Sequence, residues 1–149
     1  MTLVDAGIQW SSLALADEPV VLHDPLCPLT PPDFIAACVA AAADGSVVVG
    51  VRPVTDTVKT VQDGYVGETV DRDGLLQIVS PVVLPPAVVA ELQGLPSTDI
   101  AELVSVLAAS HQVTTVEGPA AARRVAGEDD LRVLEALTAA PPDPRRPGT

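Results

Sequence analysis

Residues 19–51 read PVVLHDPLCPLTPPDFIAACVAAAADGSVVVGV, and the fold turns on them. Pro19 to His23 is a short, apolar, β-branched run, the pattern of a strand buried on both faces. The sequence Thr30-Pro31-Pro32-Asp33 then starts a helix. Thr30 supplies a cap, Pro31 suits the first helical position, and Asp33 favours the positive helix end. The helix carries Phe34, Ile35, Cys38 and Val39 and stops at Gly45. Ser46 to Val51 is a second apolar strand. Strand, helix, strand makes a βαβ unit, so the two strands should run parallel with a right-handed crossover. Asp24 then sits just past the carboxyl end of a strand, where α/β proteins place their ligand chemistry.

Working outward, residues 54–79 change character. Turn signals at Asp63-Gly64 and Asp73-Gly74 separate polar segments, which predicts hairpin strands over 57–62 and 65–70 and a return strand over 75–79. The hairpin strands alternate poorly, so another chain is expected to cover this arm. Upstream, a short helix is expected over Gln9–Ala16. Downstream, Pro85–Gln93 reads as a helix closed by Gly94, and a second helix capped by Ser97 or Thr98 runs through Ile100, Leu103, Val104 and Leu107. A strand follows over Gln112–Val116. The last helix spans 128–139, with Glu128, Asp129 and Asp130 in its first turn. The expected organisation is an N-terminal extension (1–18), one α/β domain (19–140) with an arm at 52–73, and a disordered tail (141–149).

Composition narrows the function. The 149 residues are 48% hydrophobic, yet Trp10, Phe34 and Tyr65 are the only aromatics. Ala, Val and Leu must therefore fill the core, which suits close helix-on-sheet packing. Eight basic residues against twenty acidic ones give a formal charge of −12. That balance argues against nucleic-acid and anionic-membrane partners. With no secretory signal and no apolar run of spanning length, a cytoplasmic location is expected. Cys27 and Cys38 read as reduced core residues.

Several stretches, in order, carry a resemblance: VVLHDPLCP, RPVTDTVKTV, ETVDRDGLLQIVSP and VTTVEGPAAARRVAGEDDL. The chain resembles the C-terminal half of the 2-C-methyl-D-erythritol 4-phosphate cytidylyltransferases of isoprenoid biosynthesis. The resemblance implies a truncated Rossmann-like nucleotidyltransferase fold, with a protruding β-arm that clasps a second subunit as a homodimer. It also implies roles. Asp24 matches an aspartate that helps hold magnesium and the cytidine nucleotide. Thr57 matches a threonine that contacts methylerythritol phosphate, and Arg72 an arm arginine that reaches across the dimer to the substrate phosphate. Ser80 stands where the family has threonine before proline, and Arg124 where it has a catalytic lysine.

The departures matter as much. The family's Ala-Ala-Arg-Pro after His-Asp is here Pro25-Leu26-Cys27-Pro28, so Cys27 replaces an arginine. Arg123-Arg124-Val125-Ala126 stands for Ile-Lys-Val-Thr, losing a hydroxyl at Ala126. No G-x-G-x-x-G loop occurs, and no lysine lies upstream of Lys59. The glycine-rich nucleotide-binding half is therefore expected to be absent. Asp24 admits two readings, a magnesium ligand and a cap of its own turn. So does Arg72, an anion contact or a structural ion pair, and so does Arg123-Arg124, a solvated pair or a phosphate site. The resulting expectation is a degenerate, non-catalytic relative, a pseudoenzyme acting as a binding or regulatory subunit and binding a phosphorylated small molecule. The alternative is an active nucleotidyltransferase completed by a partner chain.

Overall fold

The computed structural model of the chain describes residues 2–3, 9–54, 59–62, 65–69 and 75–139, with only the backbone course given for 2–3, 59–62 and 65–69. Among the described residues, seven strands and five helices follow in the order β1 (Thr2–Leu3), α1 (Trp10–Ala16), β2 (Val20–Leu22), α2 (Pro32–Ala41), β3 (Val47–Pro53), β4 (Lys59–Gln62), β5 (Tyr65–Thr69), β6 (Leu76–Leu84), α3 (Pro86–Glu91), α4 (Ile100–Ala108), β7 (Val113–Glu117) and α5 (Glu128–Thr138). Short 3-10 turns cover Ala42–Asp44 and Ala120–Ala122.

Five strands form one mixed sheet in the order β1-β2-β6-β3-β7. β6 is antiparallel to both β2 and β3, while β7 is parallel to β3. This corrects the simple βαβ expectation. β2 and β3 do point the same way, but β6 lies between them and takes the hydrogen bonds of both. The return strand is longer than the expected 75–79 and continues through Ser80-Pro81-Val82-Val83-Leu84. Its apolar second half has somewhere to go: Val82, Val83 and Leu84 are fully buried.

Helices cover both faces. On one face, Leu22, Val49, Val82 and Leu84 pack with Leu13, Val88, Leu103 and Leu107 from α1, α3 and α4. On the other, Val21, Val48, Val79 and Val83 meet Phe34 and Cys38 of α2 together with Cys27 and Ala122. Adjacent residues of one strand thus face opposite layers, as the two-residue period of a strand requires. Trp10 anchors α1, its indole N–H donating to the carbonyls of Leu92 at 2.6 Å and Val89 at 3.2 Å. Cys27 and Cys38 are free thiols in the core.

Two caps differ from expectation. Thr30 does not cap α2; its hydroxyl donates to Cys27 O at 2.9 Å, and Pro31 holds the N-cap position with Pro32 first in the helix. At α4 the cap is Asp99, which accepts from the Glu102 N–H at 2.9 Å. Ser97 instead donates to the Glu102 carboxylate. Gly45 closes the α2 segment with φ 90°, a left-handed conformation suited to glycine.

β4 and β5 pair antiparallel as a separate two-stranded sheet, with Gln62 opposite Tyr65. The hairpin read from the sequence is therefore present as backbone. The expected tail at 141–149 lies outside the described residues.

Candidate functional site at the carboxyl end of the sheet

β2 ends at Leu22, and the next two residues turn beside Ser80 in the middle of β6. Asp24 N–H donates to Ser80 Oγ at 3.0 Å, and the same hydroxyl lies 2.7 Å from His23 Nδ1. Ser80 is buried on β6, so a rigid strand fixes both residues. His23 thus has a side-chain partner on β6. Asp24 Oδ1 accepts from the Leu26 N–H at 2.9 Å, which caps the local turn.

Asp24 Oδ2 faces Arg124, whose Nε donates to it at 2.8 Å. A backbone bond beside this pair, from Val125 N–H to Leu26 O at 2.7 Å, ties the two distant segments together. Burial disfavours the Asp24 carboxylate, but the hydrogen bond and charge of Arg124 and the Leu26 N–H outweigh it, so its pKa lies below the ordinary 3.8. The same hydrogen bond holds Arg124 above its ordinary value.

These groups open on a cavity of about 550 Å³, lined by His23, Asp24, Gln77, Thr98, Asp99 and Arg124 among others. A cleft of this size suits a small polar metabolite. Cys27, by contrast, points into the core with no exposure at all. The position that carries an arginine in the resembled family therefore presents no side chain to the cavity.

Three of the expected site residues are brought together: Asp24, Ser80 and Arg124. Thr57 and Arg72 lie outside the described residues. Sequence reasoning misses Gln77 and Thr98 as cavity walls, Thr98 because its hydroxyl reads equally well as a helix cap. It also undervalues His23, whose partner is 57 residues away.

The magnesium expected at Asp24 finds little support in the chain's own donors. Both Asp24 oxygens are engaged, and no group of three or more candidate metal ligands exists among the described residues. Magnesium is often held by one or two carboxylates with substrate phosphates completing its shell. These residues do not fit it unaided, and no chemical step is assigned to it.

With this geometry, comparison with known proteins is informative. A profile of the 2-C-methyl-D-erythritol 4-phosphate cytidylyltransferase family matches residues 4–139. The enzyme of that name from Frankia casuarinae is 40% identical over 125 residues, covering 80% of this chain and 46% of its own length. The one from Syntrophotalea carbinolica is 35% identical over 144 residues, covering 92% and 60%. Among solved structures, the Thermus thermophilus cytidylyltransferase superposes with a TM-score of 0.65 at 25% identity, covering 91% of this chain and 79% of that one. The chain spans about half the length of the curated relatives it matches. The profile match over residues 4–139 and the identity to these relatives agree: the chain belongs to the 2-C-methyl-D-erythritol 4-phosphate cytidylyltransferase family.

Proposed function

We propose that this chain binds a phosphorylated polyol in the Asp24–Arg124 cavity and does not by itself transfer a cytidylyl group. Cytidylyl transfer is attack by a phosphate oxygen on the α-phosphorus of CTP, with pyrophosphate leaving. The site must neutralise charge that builds on the transferred phosphorus. The observation that carries the reading is the fate of two groups near Asp24. Arg124 is committed to the carboxylate, and Cys27, in place of an arginine, is sealed in the core. Loss of one charge-stabilising donor commonly costs roughly 3 kcal/mol of barrier. The chain then serves as a degenerate binding or regulatory subunit, assembling through the arm at 52–73. An arm that forms its own two-stranded sheet supports this, because an isolated hairpin is marginally stable in water.

The test is pyrophosphate release from CTP, magnesium and 2-C-methyl-D-erythritol 4-phosphate, alongside a thermal-shift titration with each ligand. The expected result is a rise in melting temperature with the polyol phosphate and no turnover. Ligand at about 100 times its Kd stabilises the fold by about 2.7 kcal/mol. Turnover at an ordinary enzymatic rate would overturn the reading.

A second reading is favoured by the completeness of the His23–Ser80–Asp24–Arg124 network. In it the chain forms an active nucleotidyltransferase with a partner chain that supplies the nucleotide-binding half. Turnover that appears only on adding such a partner would establish it.

A further inference from the structure

A second, smaller cavity lies beside the first, sharing Gln77 and Arg124 with it. Its volume is about 80 Å³, and its walls include Arg52, Arg123, Arg124 and Asp130. Arg52 lies near the end of β3, in register with Gln77 of β6. Arg123 follows the 3-10 turn Ala120–Ala122. Folding has thus gathered three of the chain's cations at one small opening of a protein whose formal charge is −12.

The hydrogen-bonding account of this cavity does not close. The Nε atoms of Arg52 and Arg123 are buried and have no hydrogen-bond partner among the described residues. Buried donors are nearly always paired with protein, water or ion, and an orphan calls for an explanation. Asp130 does not supply one. Its Oδ1 accepts from Arg123 Nη1 at 2.8 Å and its Oδ2 from the Ala126 N–H at 2.8 Å, and neither oxygen bonds the Nε of Arg52 or Arg123. Asp24 likewise accepts from Arg124 and Leu26 and bonds neither orphaned Nε. Glu117 acts on Arg52 through its charge, yet makes no ion pair with it among the described residues. Burial chiefly, and then the nearby charge of Arg123, lower the Arg52 pKa, against the opposing charge of Glu117.

We propose that Arg52 and Arg123 form an anion subsite for a tetrahedral phosphate group, distinct from the Asp24 cavity and opening into it past Gln77 and Arg124. A phosphate oxygen accepts strongly from guanidinium donors, and the planar fork of arginine suits it better than an ammonium. It would also relieve the repulsion between the two guanidiniums. Inorganic phosphate and the phosphate of a monoester share this chemistry. The inference does not depend on whether the Asp24 cavity binds a polyol phosphate.

Arginine Nε–H resonances of the wild-type chain provide the direct test, followed by NMR during titration with sodium phosphate. Sodium chloride at matched ionic strength controls for screening. The expected result is saturable movement of the Arg52 and Arg123 signals with phosphate and none with chloride. Arg52→Gln should weaken phosphate binding by about tenfold or more, without lowering the melting temperature of the free protein. Glycerol 3-phosphate in a parallel titration separates the sources: binding at least as tight as phosphate assigns the subsite to monoesters, weaker binding to the free ion. Nε–H signals that stay still through the phosphate titration, or move equally with chloride, would overturn the proposal. So would an unchanged affinity in Arg52→Gln.

Discussion

Arg124 reaches back one hundred residues to place its Nε 2.8 Å from Asp24 Oδ2. The pair is unequal, since the Asp24 side chain is 12% exposed and that of Arg124 40%. A fully buried pair loses several kcal/mol when one partner is removed, whereas an exposed one loses almost nothing. This contact falls between. Asp24→Asn should destabilise the fold by about 1–2 kcal/mol at neutral pH, read as a lower urea midpoint. An unchanged midpoint would mean that the pair orders the cavity without stabilising the fold.

The same contact sets a pH dependence. Asp24 and Asp130 both have folded pKa values below the ordinary 3.8, Asp24 through Arg124 and Leu26 against the opposing effect of burial, Asp130 chiefly through Arg123 and the Ala126 N–H. Their stabilisation is complete above the unfolded value. It is lost as pH falls through 3.8 towards the depressed folded values, because the unfolded chain takes up protons first. Urea midpoints should therefore drop steeply below about pH 4, and the drop should be shallower in Asp24→Asn. Parallel acid profiles for the two proteins would contradict the assignment.

Ser80 supports two residues with one hydroxyl. Ser80→Ala removes the acceptor of the Asp24 N–H and the neighbour of His23 Nδ1. A loss of about 1–2 kcal/mol in stability is expected. The His23 ring resonances should shift as well, which a packing defect elsewhere would not produce. Ser80→Thr, which restores the hydroxyl, should recover the His23 signals.

At Gly50 the backbone of β3 leaves no room for a side chain against β6. A Cβ there would meet Ser80 O at 3.0 Å, Ser80 C at 3.1 Å and Pro81 N at 3.2 Å, all backbone atoms. The register of the two strands shifts at Val49/Gly50. Gly50→Ala should cost about 1–3 kcal/mol through this crowding, measured by thermal or urea unfolding. It should also disturb His23, because the strand it pushes is the one that carries Ser80.

Both cysteines are predicted to be inert in the folded state. Burial raises the Cys38 thiol to about 11 and raises Cys27 as well. The thiolate is the reactive form, so alkylation at about pH 8 should be negligible until denaturant opens the core. Rapid labelling of one thiol in native buffer would show that the layer around α2 opens locally.

The legible parts of this molecule are those written in adjacent residues. Val20-Val21-Leu22 and Val47-Val48-Val49 announce buried strands, and Asp63-Gly64 announces the hairpin whose backbone appears as β4 and β5. The insertion of β6 between β2 and β3 is not legible. Nothing local in LQIVSPVVL states which neighbours it takes, and Pro81 argues against a central strand. The chain accommodates that proline within the register shift, beside the side-chain-free Gly50, a solution that needs both strands to be seen together. At the site, Asp24 is marked by its position after a strand, and the matched motifs single out Ser80 and Arg124. Their actual bonds span 56 and 100 residues. The orphaned Nε atoms of Arg52 and Arg123 have no sequence signal, since only burial in the folded chain makes them unusual. The α4 cap is displaced from its expected place because Ser97, Thr98 and Asp99 are all competent caps.

The central place of β6 also orders events as the chain is made. Val20, Val21 and Leu22 find their antiparallel partners in Leu84, Val83 and Val82, about sixty residues later. When β2 and α2 leave the ribosome, the strand that will cover them has not been translated. Pairings this distant in sequence form slowly and leave apolar edges waiting. The nascent chain must therefore carry a VVL segment that β1 can pair on one side only through synthesis of the whole arm. A chaperone that holds extended apolar segments would meet this protein at residues 20–22 before its sheet exists.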